Sequence, residues 1–171
     1  MRHLNRLLLG LVCSAGCQSS GQSGYFKATI SNSTATPPIA AKWNSSDTQQ
    51  LVLSGPTVCL LASDHTVDNP SGSGLLIVLP TQPNAGQTLP VPVDSYFSGA
   101  ANYISFTQAP GNLVWAATGG NIQVNKIDPW QVALSAVTFA PTGGSDPNMG
   151  AFTLDGEGEF LRDPTYQPTT P

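Results

Sequence analysis

Short apolar runs separated by turn residues follow one another along most of the chain. In these runs apolar side chains recur at every second position, which is the period of a half-buried β-strand. No stretch of helical length carries apolar residues at the i, i+3, i+4 spacing. The predicted strands are Tyr25–Ile30, Gln50–Ser54, Thr57–Ala62, Leu75–Leu79, Asn102–Gln108, Leu113–Ala117, Asn121–Ile127, Gln131–Phe139 and Ala151–Phe160. The pattern therefore predicts an all-β domain.

Two turn signals organise the C-terminal half. Gly119-Gly120 separates two predicted strands, and glycine accepts the positive φ that a two-residue hairpin turn requires. Asp128-Pro129 supplies a second turn, because proline presets φ. We therefore expect an antiparallel meander in which the strands on either side of each turn pair with one another.

The run Leu75–Leu79 is apolar at every position, so both of its faces should be covered. Many short strands are most simply buried by packing two layers together. The predicted architecture is an antiparallel β-sandwich, with a partly closed β-barrel as the alternative.

Composition changes this picture in two ways. Charged residues make up 9% of the chain, against roughly 25% in ordinary soluble domains, while the hydrophobic fraction of 40% is too high for a disordered chain. Beyond the first residues the basic side chains are Lys27, Lys42, Lys126 and Arg162, against ten acidic ones. This balance argues against a nucleic-acid partner, which requires a basic face to neutralise phosphates.

The N-terminus has the three parts of a secretory signal in order. Arg2 and Arg6 precede the apolar run Leu7–Val12, and the small residues Ser14-Ala15-Gly16 precede Cys17. The apolar run is too short to span a membrane as a helix.

Ser14-Ala15-Gly16-Cys17 resembles the lipobox of bacterial lipoproteins, in which the cysteine becomes the first mature residue and carries the lipid. The motif departs from the family pattern at Ser14, where leucine is most typical. Cys13 is the rival acceptor, but it follows the bulky Val12, where the processing peptidase prefers a small residue. The resemblance implies a membrane attachment through Cys17. In such lipoproteins an aspartate directly after the lipidated cysteine commonly retains the protein at the inner membrane, and this chain has Gln18 there. The resemblance therefore also implies the outer membrane as the location in the cell envelope.

The predicted organisation has four parts. Residues 1–16 form the signal peptide, and residues 17–24 form the lipidated cysteine and a flexible tether without apolar side chains. Residues 25–161 form the β-rich domain, and residues 162–171 form a tail that contains three prolines. Cys59 then has no disulfide partner, and we expect it to be a buried thiol that packs as a small hydrophobe.

Two groups of residues could carry chemistry. His65 is the only histidine after the signal peptide, but it lies in a polar turn-rich segment, and the chain has no G-x-S-x-G motif. Asp155, Glu157 and Glu159 alternate with other residues, so a regular strand would place all three on one face. Such carboxylates could bind calcium, or they could simply form a solvent-facing strand surface that resists aggregation. No other cofactor is predicted.

Three tryptophans suggest a ligand class. An exposed indole can stack on a sugar ring while polar side chains bind the hydroxyl groups. Trp43 and Trp130 lie at predicted turns and are candidates for this role, whereas Trp115 lies in an apolar run and is predicted to be core. The sequence thus favours a non-enzymatic binding or structural module of the cell envelope, with a polysaccharide or another envelope protein as partner. A carbohydrate-binding module and a hydrolase using His65 or the acidic residues are the alternatives.

Overall fold

The computed structural model describes residues 24–52, 57–64, 72–91, 101–108, 113–142 and 147–162. Within these ranges the only helical element is a single 3-10 turn, Pro147–Met149. The ten strands are β1 Tyr25–Ser31, β2 Lys42–Asn44, β3 Asp47–Val52, β4 Val58–Ser63, β5 Ser73–Leu79, β6 Thr88–Pro90, β7 Tyr103–Gln108, β8 Leu113–Ile127, β9 Trp130–Pro141 and β10 Phe152–Arg162. The all-β prediction is confirmed.

Several predictions fall on residues outside these ranges. They concern the signal peptide, the lipid attachment at Cys17 with its rival Cys13, the tether up to residue 23, the tail beyond residue 162, and His65. These stay predictions.

Seven of the strands close into a barrel. The ring runs β3, β4, β5, β7, β8, β9, β10 and returns from β10 to β3. Every neighbour in it is antiparallel except β10 and β3, which are parallel. Of the two predicted architectures, the barrel is therefore the one that forms, and β1, β2 and β6 are added to its wall.

The closing seam between β10 and β3 is short. It pairs Leu161 with Gln49 and Arg162 with Gln50. The hydroxyl of Thr48, which is buried, donates a hydrogen bond of 2.7 Å to the backbone carbonyl of Glu159. A buried hydroxyl needs such a partner, so this bond both satisfies Thr48 and ties the seam together.

Beyond the seam, β1 lies between β10 and β2. It pairs with β10 from Tyr25↔Glu159 to Ser31↔Thr153, and β2 adds to its other edge. Ser45 links β2 to β3 and holds the bend, because its hydroxyl accepts a bond from the Phe26 amide and its own amide donates to the Phe26 carbonyl, both at 2.8 Å. This arrangement widens the wall into the four-stranded surface β2-β1-β10-β9.

Aromatic rings fill the interior. Phe106 contacts Trp43 and Phe152 edge to face, with ring centroids 5.5 Å apart in each pair, and Phe152 stacks on Phe139 at 4.8 Å. Edge-to-face and offset-stacked rings are the favourable arrangements for aromatic pairs. Trp115 is fully buried and donates its indole N–H to the carbonyl of Gly150, which confirms its predicted place in the core.

The alternation of glycine and acid in β10 has a packing cause. Gly156 and Gly158 face inward, and a Cβ on either would lie 2.8 and 2.6 Å from the ring of Phe26. Phe26 is fully buried, so its ring occupies the space that side chains at these positions would need. The acids that alternate with the glycines, Asp155, Glu157 and Glu159, are consequently turned outward.

The predicted hairpin at Gly119-Gly120 is wrong. β8 runs without a turn from Leu113 to Ile127 and pairs with β9 along its length, and the hairpin turn lies at Asp128-Pro129. The register is irregular around Gly119, and Gly120 has φ 111°, so the two glycines form a bulge. A Cβ on Gly120 would lie 2.6 Å from the Cα of Val137, so the close approach of β9 also requires glycine.

Candidate functional site

The two tryptophans proposed to stack on sugars are not surface residues. Trp43 is 5% exposed and Trp130 is 3% exposed, and both belong to the core. Trp43 lies on the inward face of β2, and Trp130 is the first residue of β9 and also points inward. Neither indole is therefore exposed for stacking on a sugar, because turn-adjacent positions in a barrel can still lie on the interior face.

Asp64 connects Trp43 to the end of β4. Its carboxylate accepts a 2.8 Å hydrogen bond from the indole N–H of Trp43 and a second bond from the amide of Ser73. The amide of Asp64 in turn donates to the carbonyl of Ser73 at 3.1 Å. The side chain therefore fixes β2 against the β4–β5 connection, which is a structural role.

Asp155, Glu157 and Glu159 share the outward face of β10, as the alternation predicts for a regular strand. Two of them bind neighbours within the protein: Asp155 accepts a 2.8 Å bond from the amide of Ala136, and Glu159 accepts one from the Gln131 side chain. Among the described residues, no group of three acidic, histidine or cysteine side chains is placed to hold a metal ion. The structure therefore does not bring these carboxylates together as a calcium site.

Asp155 has a role that sequence analysis did not predict. Ala136 has φ 48°, a left-handed conformation that is uncommon for residues other than glycine, and it faces the bulge of β8 at Gly120. The carboxylate of Asp155 accepts the Ala136 amide at this irregularity. One acid of the row thus stabilises a local distortion of the neighbouring strand.

An open groove of about 480 Å³ lies on the outer face of the four-stranded surface. It crosses β2, β1, β10 and β9. Its residues are Lys27, Ala28, Thr29, Lys42, Asn44, Ala133, Asp155, Gly156 and Glu157. Two of the chain's three lysines and two carboxylates therefore line one groove on a protein that is otherwise poor in charge.

The pairing register orders these side chains into two rows. Thr29 lies opposite Lys42 on one side and Asp155 on the other, and Lys27 lies in the same way between Asn44 and Glu157. Ala133 continues the second row on β9, where its small side chain leaves room above the sheet. Lys42 thus makes the β2 side of the groove basic, and Asp155 and Glu157 make the β10 side acidic.

The charged side chains of the groove form no ion pairs with one another among the described residues. Lys27 and Glu157 are direct cross-strand partners, yet within the described part of the chain no salt bridge joins them or involves Lys42. The Lys27 amine lies over the Tyr25 ring instead, 5.5 Å from its centroid. Tyr25 lies two residues before Lys27 on the same face of β1 and, at 44%, is the one large hydrophobic residue of the described chain that is exposed. Charged and aromatic groups are therefore available to a ligand.

The groove presents several polar groups on one face. It is open to solvent, and both of its carboxylates are exposed. Lysine amines, carboxylates and the amide of Asn44 can form several polar contacts with a ligand laid across the strands.

Sequence analysis did not identify Lys27, Lys42 or Asn44 as site residues. The alternation in β1 places Lys27 on the outward face, and this could be read from the pattern. The register that sets Lys27 opposite Glu157 joins the two ends of the domain, and it could not be read from either strand alone. β2, with only three residues, was not predicted at all.

None of the helical structure in the described residues is long and apolar enough to cross a membrane. In comparisons with protein-family models, with curated proteins and with solved structures, no match to this chain was found.

Proposed function

We propose that this chain is a lipid-anchored protein of the cell envelope that acts by binding rather than by catalysis, and that the groove across β2, β1, β10 and β9 is its binding site. The resemblance of Ser14–Cys17 to a lipobox supports the anchor, and the outer membrane is the location it favours. The observation that carries the binding role is the concentration of Lys27, Lys42, Asp155 and Glu157 in one open groove without mutual ion pairs among the described residues.

The structure changes which aromatic side chain a carbohydrate could contact. Trp43 and Trp130 are buried, whereas Tyr25 is an exposed aromatic side chain on the same face of β1 as Lys27. A sugar polymer could lie on Tyr25 with its hydroxyl groups on Asn44 and the charged side chains. Neutral polysaccharides are therefore a second class of ligand to be tested in the same groove.

A thermal unfolding panel on the purified full-length chain tests the proposal. The ligands are soluble peptidoglycan fragments, neutral polysaccharides and calcium. A ligand that binds only the folded state at 100 times its Kd adds about 2.7 kcal/mol of stability. For a domain of this size that is a rise in melting temperature of several degrees. We expect such a rise with peptidoglycan fragments, since they carry the charged groups that the groove complements.

Two variants locate the binding. Lys42→Ala should abolish the rise in melting temperature, while Lys126→Ala, which removes the one lysine that does not line the groove, should leave it unchanged. A rise that persists in Lys42→Ala would place the ligand elsewhere. No rise with any of the ligands would contradict the binding role of the groove.

A further inference from the structure

We infer that the groove recognises a short peptide with both ends free, its carboxylate bound on the β2 side and its ammonium group on the β10 side. The inference rests on the proposed binding function and deepens it. It follows from the segregation of the charges: Lys42 lies on β2, and Asp155 and Glu157 lie on β10. A ligand with a single sign of charge would face one repulsive side of this groove.

The width of the groove sets the length of the ligand. Lys42 and Asp155 lie in one row, each directly opposite Thr29 on the intervening strand. Directly opposed residues on antiparallel strands have Cα atoms about 5 Å apart, so Lys42 and Asp155 are separated by roughly 10 Å, and Glu157, two residues further along β10, lies roughly 12 Å from Lys42. An extended peptide spans roughly 3.4 Å per residue, so about three residues reach from one side to the other.

Among the described residues Lys27 leaves the Glu157 carboxylate without an ion pair. It lies on β1 between the two sides, and its amine is turned to the Tyr25 ring instead of to Glu157. The Glu157 carboxylate is thereby left for an ammonium group of the ligand, with which it can form charge-assisted hydrogen bonds. Ala133 beyond Glu157 and the backbone of Gly156 leave the bottom of the groove without bulky side chains.

The test compares four ligands on the full-length chain by calorimetric titration: trialanine, N-acetyl-trialanine, trialanine amide and a neutral oligosaccharide. Trialanine should bind at least tenfold more tightly than either blocked peptide, because each block removes one charge-assisted contact. Raising the salt concentration should weaken the binding of trialanine, since the groove is open to solvent.

Two substitutions should each remove the preference for one free end of the peptide. Glu157→Gln should bind trialanine and N-acetyl-trialanine equally, and Lys42→Ala should bind trialanine and trialanine amide equally. Lys126→Ala and Asp47→Asn, which change charges outside the groove, should retain both preferences.

The possible failures are distinct. Equal binding of all three peptides, or binding of the oligosaccharide alone, would overturn the assignment to a peptide with free ends while leaving the groove as a binding site. If peptidoglycan fragments stabilise the chain through Lys42 but trialanine does not bind at all, the inference also fails and the proposed function stands. If neither binds, both fail.

Discussion

The thiol of Cys59 lies in β4, 4% exposed and without a disulfide partner. Burial raises its pKa from the ordinary 9.0 to about 11, since a thiolate would lose its hydration there. Its neighbours in the strand are apolar, and the side chain packs as the small hydrophobe that the sequence predicts. A raised pKa keeps the thiol protonated at neutral pH, where only the thiolate is reactive.

The pKa of Cys59 predicts a pH dependence of stability. Below pH 9 the thiol is protonated in both states, whereas between pH 9 and about 11 the unfolded chain loses the proton and the folded chain keeps it. The free energy of unfolding should therefore fall by up to about 1.4 kcal/mol per pH unit in that interval. Denaturant titrations of the full chain and of Cys59→Ala isolate the contribution of this thiol, since every other side chain is common to both proteins. A stability difference between the two that stays constant from pH 8 to 11 would refute the prediction.

At the scale of the element, β10 is the strand on which the barrel depends. It pairs with β9 along one edge and with β1 and then β3 along the other, so it carries both the seam and the acidic side of the groove. Its inward glycines accommodate Phe26, and its outward acids face solvent. In the sequence D-G-E-G-E-F the glycines therefore allow core packing on one face of the strand, and the acidic side chains lie on the other face.

Gly158→Ala tests this packing. The new Cβ would lie 2.6 Å from the Phe26 ring and 2.4 Å from the Tyr25 carbonyl, and the backbone oxygen cannot move without breaking the β1–β10 pairing. Forcing extra volume into a filled core costs about 1 to 3 kcal/mol, which chemical denaturation can measure. Gly119→Ala is the matched control, because its Cβ would meet only the Thr138 hydroxyl at 3.4 Å. Equal effects of the two substitutions would show that Phe26 does not require glycine at position 158.

The elements show which features sequence patterns can predict. Strict alternation, as in Phe26, Ala28 and Ile30, identifies a half-buried strand from local information. The predicted strands are found with shifted ends, except that Leu113–Ala117 and Asn121–Ile127 are parts of the single strand β8. The pair Gly119-Gly120 fits a hairpin and a bulge equally well, since both use the same freedom of φ. The hairpin and the bulge are distinguished by the length over which β9 pairs with β8, and this length depends on the tertiary structure.

The groove could be predicted only in part for the same reason. The acidic side was recognisable as a row of alternating carboxylates in one strand. The basic side combines Lys27 and Lys42 from two strands, and they meet the acids only through the register of β1 with β10. The burial of Trp43 and Trp130 could not be predicted, because a position next to a turn does not indicate which face of a closed barrel a side chain occupies.

At the scale of the whole molecule, the two ends of the domain lie together. Tyr25 at the start of β1 is paired with Glu159 near the end of β10, so the chain enters and leaves the barrel at the same end. The predicted tether between Cys17 and Tyr25 would reach on the order of 15 Å as a flexible coil. If Cys17 carries the lipid, this end of the barrel is the one nearest to the anchor along the chain.

The lipid attachment itself is testable with the two neighbouring cysteines. In Cys17→Ser the sulfur that the lipobox presents for modification is gone, so we expect the variant to lose incorporation of radiolabelled fatty acid and to leave the membrane fraction. Stable anchoring requires more than one acyl chain, so a partial loss of lipid should also release the protein. Cys13→Ser should keep both properties, because residue 13 belongs to the predicted signal peptide.

The barrel begins after both positions, so neither variant should change the near-ultraviolet circular dichroism of its buried aromatic rings. Labelling that survives in Cys17→Ser and disappears in Cys13→Ser would move the anchor to Cys13 and lengthen the tether by four residues.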